Sequence, residues 1–286
     1  MSQESFPRRV AIVGAGLLGG SVALSLRRTF PEIEIVAFAR SEAKQEAAMA
    51  SEIFDAAFLS IQETTQDCDA VVVGAPVNHI ANLVCDIAEC TGPDCLITDV
   101  GSTKAGIVAE IETHHLASRK FVAAHPIAGS EKTGLQHANA GLFDNKLIII
   151  TPGNVTDPLM LVRAETFWQA TGGETIHMTP QEHDTHLAAV SHVPHLMSCL
   201  VALRSDSESR ELVGSGWRDI TRVAAGDPAM WTAICSANRD AIGKELSAIS
   251  DSLTHLSELV QRSDDEALFR WLTDAKSARD SASIET

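Results

Sequence analysis

A histidine followed by a proline, His125-Pro126, ends the apolar run Phe121–Pro126. Histidine is the side chain that gains or loses a proton nearest neutral pH, so one placed at the end of such a run is a candidate acid–base group. Two other apolar runs also end in unusual residues: Gly74-Ala75-Pro76, and Asp99-Val100-Gly101-Ser102-Thr103-Lys104. The first run, Val10–Gly14, opens into Gly14-Ala15-Gly16-Leu17-Leu18-Gly19, a GxGxxG pattern between an apolar strand and a helical stretch. In that setting Gly14 allows the tight turn, Gly16 lets the backbone approach a pyrophosphate, and Gly19 lets helix and strand pack closely. The phosphates would rest on the helix N-terminus, where the backbone N–H groups of Leu17 and Leu18 and the helix dipole favour an anion. Ala75 and Pro76 end a strand on the same side and are candidate cofactor contacts.

The second run, Ile35–Ala39, lacks what a dinucleotide site usually offers there. An Asp or Glu at its end would bind the ribose 2′-hydroxyl of NAD, but this chain reads Ala39-Arg40-Ser41. With no carboxylate and with a guanidinium and a hydroxyl in place, the position suits a 2′-phosphate, so NADP is favoured over NAD.

These residues need a scaffold. Seven β-rich apolar runs alternate with stretches of helical length: Val10–Gly14, Ile35–Ala39, Ala70–Pro76, Leu96–Gly101, Phe121–Pro126, Leu147–Pro152 and Thr175–Thr179. The helical stretches include Leu17–Thr29, His79–Cys90 and Lys104–His115. Alternation of this kind predicts a doubly wound α/β domain with a parallel sheet covered on both faces, over residues 1–179. Ligands of such sheets bind outside the carboxyl ends of the strands, which places Gly14, Ser102 and His125 on one rim. From Pro180 to residue 286 no strand pattern is found, and an all-helical domain is expected. There Leu246, Ile249, Leu253, Leu256 and Leu259 form one apolar stripe, long enough to predict a homodimer. The Ser- and Asp-rich tail after Lys276 is expected to fray.

Bulk properties narrow the function classes. Lys plus Arg total 22 against 38 Asp plus Glu, a net charge of −16, which argues against nucleic acid or an anionic membrane surface as partner. No signal-peptide pattern precedes the first strand and no stretch reads as a membrane span, so a cytoplasmic protein is expected. The six cysteines contain no CxxC pair and read as reduced thiols; no metal site is expected.

Four segments together resemble the prephenate and arogenate dehydrogenases. His125-Pro126-Ile127-Ala128-Gly129-Ser130-Glu131 is similar to their HPxAGxE signature, and Asp99–Lys104 to their DxGSxK segment. Ser191-His192-Val193-Pro194-His195 resembles SHxPH. Arg218-Asp219-Ile220-Thr221-Arg222, followed by Asp227-Pro228-Ala229-Met230-Trp231, resembles (R/K)DxTR…DPxMW. The resemblance runs from about Arg9 to Gln261 and departs at Ala39, where many members keep an acid. It implies a Rossmann-like domain followed by a helical substrate and dimerisation domain. It also implies His125 as acceptor of a substrate hydroxyl proton, with Ser102 orienting that hydroxyl. His195 and Arg222 would line the substrate side, with Arg222 pairing a carboxylate. The implied reaction is oxidative decarboxylation of prephenate, or of arogenate, driven by aromatisation. Duller roles compete: His192 as a core histidine, Lys104 as an ion-pair partner, Trp231 as packing, and Glu131 and Lys132 as supporting residues. A β-hydroxyacid dehydrogenase-like enzyme is the other oxidoreductase considered, but its KxxxN helix is missing, since Lys244 is followed four residues on by Ala248.

Overall fold

Every apolar run expected to be a strand is one. The computed structural model describes residues 7–129 and 133–282. In chain order the first part comprises β1 (Arg9–Val13), α1 (Leu17–Thr29), β2 (Glu34–Phe38), α2 (Glu42–Ala50), β3 (Ala56–Phe58), α3 (Ile61–Thr65), β4 (Ala70–Val73) and α4 (Val77–Cys90). It continues through β5 (Leu96–Asp99), α5 (Ala105–Ile111), α6 (His115–Lys120), β6 (Phe121–Pro126), β7 (Leu147–Pro152), α7 (Pro158–Ala170) and β8 (Glu174–His177). The eight strands lie in the order β3-β2-β1-β4-β5-β6-β7-β8. Strands β1 to β6 are mutually parallel, so their carboxyl ends share one rim.

The period-2 alternation of the strands divides the core between two faces. Val10, Ile12, Ile35 and Ala37 pack with Val22 and Leu26 of α1 on one side. Ala11, Val13, Val71 and Val73 pack with Ile80, Val84 and Ile87 of α4 on the other. Each fully buried Val, Ile or Leu contributes about 1.5–3 kcal/mol, so the central strands are fixed in register by many such residues.

Four features depart from the sequence expectation. Ala56–Phe58 adds an edge strand that was not expected. Strand β7 runs antiparallel to β6, so the sheet is mostly rather than wholly parallel. The stretch Lys104–His115 is not one helix: α5 ends at Ile111, and the His114 imidazole accepts the Ala117 N–H to cap a separate α6. The tail does not fray at Lys276, because a helix runs from Asp265 through it to Ser281.

Beyond the sheet, α8 (Pro180–Leu187) starts at a reciprocal capping box in which Thr179 and Glu182 satisfy each other's backbone N–H groups. A wide π-helical turn, Ala188–His192, links it to α9 (Val193–Arg204). Pro194 explains the turn: it has no N–H to donate, and its ring crowds the carbonyl four residues earlier. The continuous stretch Pro180–Arg204 is long and apolar enough, by composition, to cross a membrane, contrary to the sequence expectation. Here it packs on α5 and β7 and carries buried His183, Asp184, His192 and His195. Then follow α10 (Ser207–Arg210), α11 (Ser215–Thr221), a 3-10 turn at Arg222–Ala225, and α12 (Pro228–Ala237), which packs on α4 through Trp231, Ala233 and Ile234.

The chain divides into two units, residues 1–239 and 240–286. The second holds most of α13 (Arg239–Gln261) and all of α14 (Asp265–Ser281). Of the α13 stripe, Leu259 is buried, Leu246, Ile249 and Leu256 are half-buried, and Leu253 is exposed.

Candidate active site and nucleotide groove

A groove of about 1370 Å³ runs along the carboxyl rim of the sheet. Gly14, Gly16, Arg40, Ala75 and Pro76 line it, as does Lys44, which the sequence reading overlooked. Gly14 adopts φ +114°, open to glycine and strained for other residues, and a Cβ there would lie 2.4 Å from the Gly74 carbonyl oxygen. The turns after β1 and β4 therefore meet backbone to backbone. A Cβ on Gly19 would come within 2.3 Å of the Gly14 oxygen, which is the close helix–strand packing expected of it. At Gly16 a Cβ would meet nothing within 4 Å, so open space adjoins the start of α1. Gly16 precedes that helix without a side-chain cap, and the first turn holds no acid. The N–H groups there, including those of Leu17 and Leu18, suit a pyrophosphate.

At the adenosine end, buried Ala39 leaves no carboxylate at the tip of β2. Exposed Arg40 and Lys44 face the groove from the start of α2, although Asp86 of α4 also lines it. Ser41 caps α2, its hydroxyl accepting the Lys44 N–H at 3.4 Å, and it does not line the groove. This geometry fits a dinucleotide.

Two buried carboxylates, Asp99 and Asp184, organise the residues around His125. Asp99, at the end of β5, is wholly buried and ion-paired with the wholly buried Lys104. Its Oδ2 also accepts the Gly101 N–H at 2.8 Å, and its Oδ1 accepts the Ala124 N–H at 3.0 Å. One side chain thus fixes both the loop bearing Ser102 and the strand residue before His125. Lys104 therefore acts as an ion-pair partner, and burial pushes its pKa down against the pull of Asp99.

Half-buried His125 points back from the rim. Its Nδ1 lies 2.9 Å from His183 Nε2, and His183 Nδ1 lies 2.8 Å from Asp184 Oδ1. Burial pushes the His125 pKa well below its ordinary value, and nearby His183, Lys104 and His192 add to the effect. His125 is therefore neutral at physiological pH. His183 is also pushed down by burial, with Asp184 opposing. Neither His183 nor Asp184 was expected from the sequence. The available signal was the Thr179/Glu182 capping box, which places both residues early on the helix that leads to Ser191–His195.

Asn238 locks the adjoining histidine. Its Nδ2 donates to the Asp184 backbone oxygen at 2.7 Å and faces His192 Nδ1 at 3.1 Å. A carbonyl oxygen can only accept, so the amide nitrogen is on that side, and His192 Nδ1 receives its second N–H. His192 is thus a neutral core histidine, and burial pushes its pKa down to about 4.

On the helical side, buried His195 stacks on Trp231, ring centroids 3.5 Å apart and planes 9° off parallel. A Cβ on Gly226 would lie 2.4 Å from Trp231 Nε1 and 3.1 Å from His195 Cε1, so the stack needs glycine there. His195 Nε2 is 3.6 Å from Cys199 Sγ, and both residues line a second cavity of about 690 Å³. Arg222 is exposed on the 3-10 turn that packs against α9, the helix carrying His195. The structure thus unites His125 with the Ser102 loop, and His195 with the Arg222 turn. None of Ser102, His125 and Arg222 lines either cavity. Glu131 and Lys132 lie outside the described residues. Among the described residues no cluster of three potential metal ligands occurs.

Comparison with known proteins agrees with this architecture. A family model described as the prephenate dehydrogenase nucleotide-binding domain matches residues 22–177, and one described as the dimerization domain matches residues 179–274. A prephenate dehydrogenase of Bacillus subtilis is 31% identical, over 95% of this chain and 75% of that protein. A crystal structure of prephenate dehydrogenase from A. aeolicus, in complex with hydroxyphenyl propionate and NAD+, superposes with a TM-score of 0.89 at 30% identity, covering 98% of this chain and 100% of that one. An arogenate dehydrogenase structure from Synechocystis gives 0.80 at 26% identity, covering 96% and 99%. The chain belongs to the prephenate dehydrogenase family, whose members are oxidoreductases using a nicotinamide dinucleotide.

Proposed function

We propose that this protein oxidises and decarboxylates prephenate to 4-hydroxyphenylpyruvate, with NADP as the preferred hydride acceptor. The observation that carries the reading is His125, at the end of β6, kept neutral by burial and hydrogen-bonded to the buried His183. Prephenate bears a ring hydroxyl opposite a carboxylate-bearing carbon. His125 takes the hydroxyl proton, and the Ser102 hydroxyl orients that group. The bound nicotinamide supplies the hydride acceptor. As the ring aromatises, carbon dioxide leaves the opposite carbon. Arg222 pairs a substrate carboxylate, and His195, fixed by its stack on Trp231, lines the same side. This local cation answers the acidic net charge, since surface charges beyond about 8–10 Å are screened. Arogenate is the second reading, supported by the Synechocystis likeness.

The NADP preference rests on Ala39, Arg40 and Lys44, with Ser41 acting through the start of α2. The dinucleotide-binding domain ends at about residue 179 and the helical substrate domain follows. The protein is a soluble cytoplasmic enzyme whose small-molecule chemistry involves neither nucleic acid nor membrane. It works as a homodimer, supported by the dimerization-domain match and the part-covered α13 stripe; light scattering that gave the mass of one chain, 30.5 kDa, would overturn this.

The deciding assay offers prephenate and arogenate with NAD or NADP and follows reduced cofactor by absorbance. Prephenate with NADP should give the highest kcat/KM. His125→Asn should lower kcat by roughly 10²–10⁴-fold with cofactor affinity unchanged, the scale of a lost acid–base group. Near-normal kcat in that variant would remove His125 from the mechanism.

A further inference from the structure

The buried chain behind His125 dictates which of its nitrogens is the base. Asp184 Oδ1 accepts the Lys104 N–H at 2.8 Å, and its Oδ2 accepts the Ala105 N–H at 2.9 Å, where α5 begins. An ionised carboxylate only accepts, so the His183 nitrogen facing it at 2.8 Å, Nδ1, must carry the proton. Neutral His183 then presents a lone pair at Nε2, and what lies 2.9 Å from Nε2 is His125 Nδ1. His125 must donate from Nδ1, which leaves its own lone pair on Nε2.

We propose that His183 and Asp184 are positioning residues that hold His125 as its Nδ1–H tautomer, so that Nε2 is the atom that takes the substrate hydroxyl proton. The proposal rests on the reading of His125 as proton acceptor. In the step, the substrate O–H bond breaks and an Nε2–H bond forms. His125 becomes an imidazolium with both nitrogens protonated, and its Nδ1–H stays bonded to His183 Nε2. The new positive charge is stabilised through the His183 ring by the Asp184 carboxylate. The proton later leaves Nε2 for water, which restores the starting tautomer. The other titratable groups facing this chain are the mutually paired Lys104 and Asp99 and the neutral His192. Of these, Lys104 and His192 lower the His125 pKa while Asp99 acts to raise that of His183, and the choice of nitrogen is left to His183. A merely structural Asp184, present to cap α5, would have no influence on that choice.

Asp184→Asn changes what faces His183: with its Oδ1 kept on the Ala105 N–H, its Nδ2 stands where the Lys104 N–H was accepted, so one cap bond of α5 is lost and the amide donates to His183 Nδ1. His183 would then be protonated on Nε2 and would donate to His125 Nδ1. The His125 proton would move to Nε2, the position where the base is needed. Nitrogen-15 NMR of the labelled full-length protein, with His125 assigned by its loss in His125→Asn, reads the tautomer without substrate. Nδ1–H is expected in the wild type and Nε2–H in Asp184→Asn. In the same variant kcat for prephenate should fall roughly 10²–10⁴-fold with KM little changed, the scale seen when an orienting carboxylate is lost from a histidine base. His183→Gln, whose Oε1 can still accept from His125 Nδ1, should retain more activity than Asp184→Asn. An Nε2–H tautomer in the wild type, or normal kcat in Asp184→Asn, would overturn the proposal. Should Asp184→Asn fail to fold, the wild-type tautomer and the His183→Gln rate still decide. A wild type inert toward prephenate would overturn the proposed function, while the tautomer measurement would stand independently.

Discussion

His192 should make the fold acid-labile by an amount its neighbours determine. Protonating it would place an Nδ1–H against the Asn238 N–H that now donates to that nitrogen. Its folded-state pKa is about 4 against 6.5 in the unfolded chain. As pH falls the unfolded chain therefore takes the proton first. Stability is complete above about pH 6.5 and is lost as pH falls toward about 4. With one pKa unit worth 1.36 kcal/mol, linkage gives a loss of about 2 kcal/mol at about pH 5 and about 3 kcal/mol at about pH 4. At roughly 2–4 °C per kcal/mol for a chain of this size, His192 accounts for about 4–8 °C of the Tm lost between pH 7 and pH 5. His192→Gln can keep an acceptor toward Asn238 but cannot titrate. Calorimetry of both proteins at the two pH values should show the variant losing about 4–8 °C less, whatever its Tm at neutral pH. Equal losses would refute the reasoning, because they would mean that His192 is not held neutral by its surroundings.

Lys104→Met leaves Asp99 charged and without its ion-pair partner in the core and should cost about 3–5 kcal/mol; adding Asp99→Asn should recover much of this. Chemical denaturation of the single and double variants checks this, and a loss under about 1 kcal/mol in the single variant contradicts it. Arg222→Ala should raise KM for the diacid with little change in cofactor affinity, on the scale of about 2–5 kcal/mol for a broken desolvated pair. An unmoved KM would assign the carboxylate to another cation. Ala39→Asp should shift the ratio of kcat/KM values toward NAD by tenfold or more, since a carboxylate at the tip of β2 repels a 2′-phosphate and one decade is about 1.4 kcal/mol. An unchanged ratio would mean that the end of β2 does not read the ribose.

The sequence made the sheet legible because its strands are apolar runs closed by Gly and Pro residues that cannot continue them. Val10–Val13, Val71–Val73 and Ile148–Ile150 carry their burial in their composition. Strand β3, with only Ala56, Ala57 and Phe58, is too short to show a period. The direction of β7 was hidden for a different reason: composition does not encode strand polarity, and β7 pairs antiparallel with β6. The site was legible where motif and element coincide, as at Gly14 and His125. It was hidden where chemistry depends on convergence across the chain. His183 reaches His125 from 58 positions away, and Lys44 enters the groove only because α2 starts beside the end of β2. The burial of Lys104 was equally unreadable, since a lysine is ordinarily solvated until an aspartate such as Asp99 encloses it.

The wide turn at Ala188–His192 sets the angular phase of the helix that supplies the histidines. At about 100° per residue, an unbroken α-helix would put His192 roughly 180° around the axis from His183, and His195 roughly 120° around. Accommodating one extra residue in the turn subtracts about 100°, which brings His192 to roughly 80° and His195 to roughly 20° from His183. The bulge thus acts as a rotational offset, allowing one rod to carry His183 and His195 along nearly the same meridian about three turns apart. Removing Ala189 or Val190 would leave both halves helical and the Ser191–His195 motif intact in the sequence, yet would swing the two sets of histidines out of alignment.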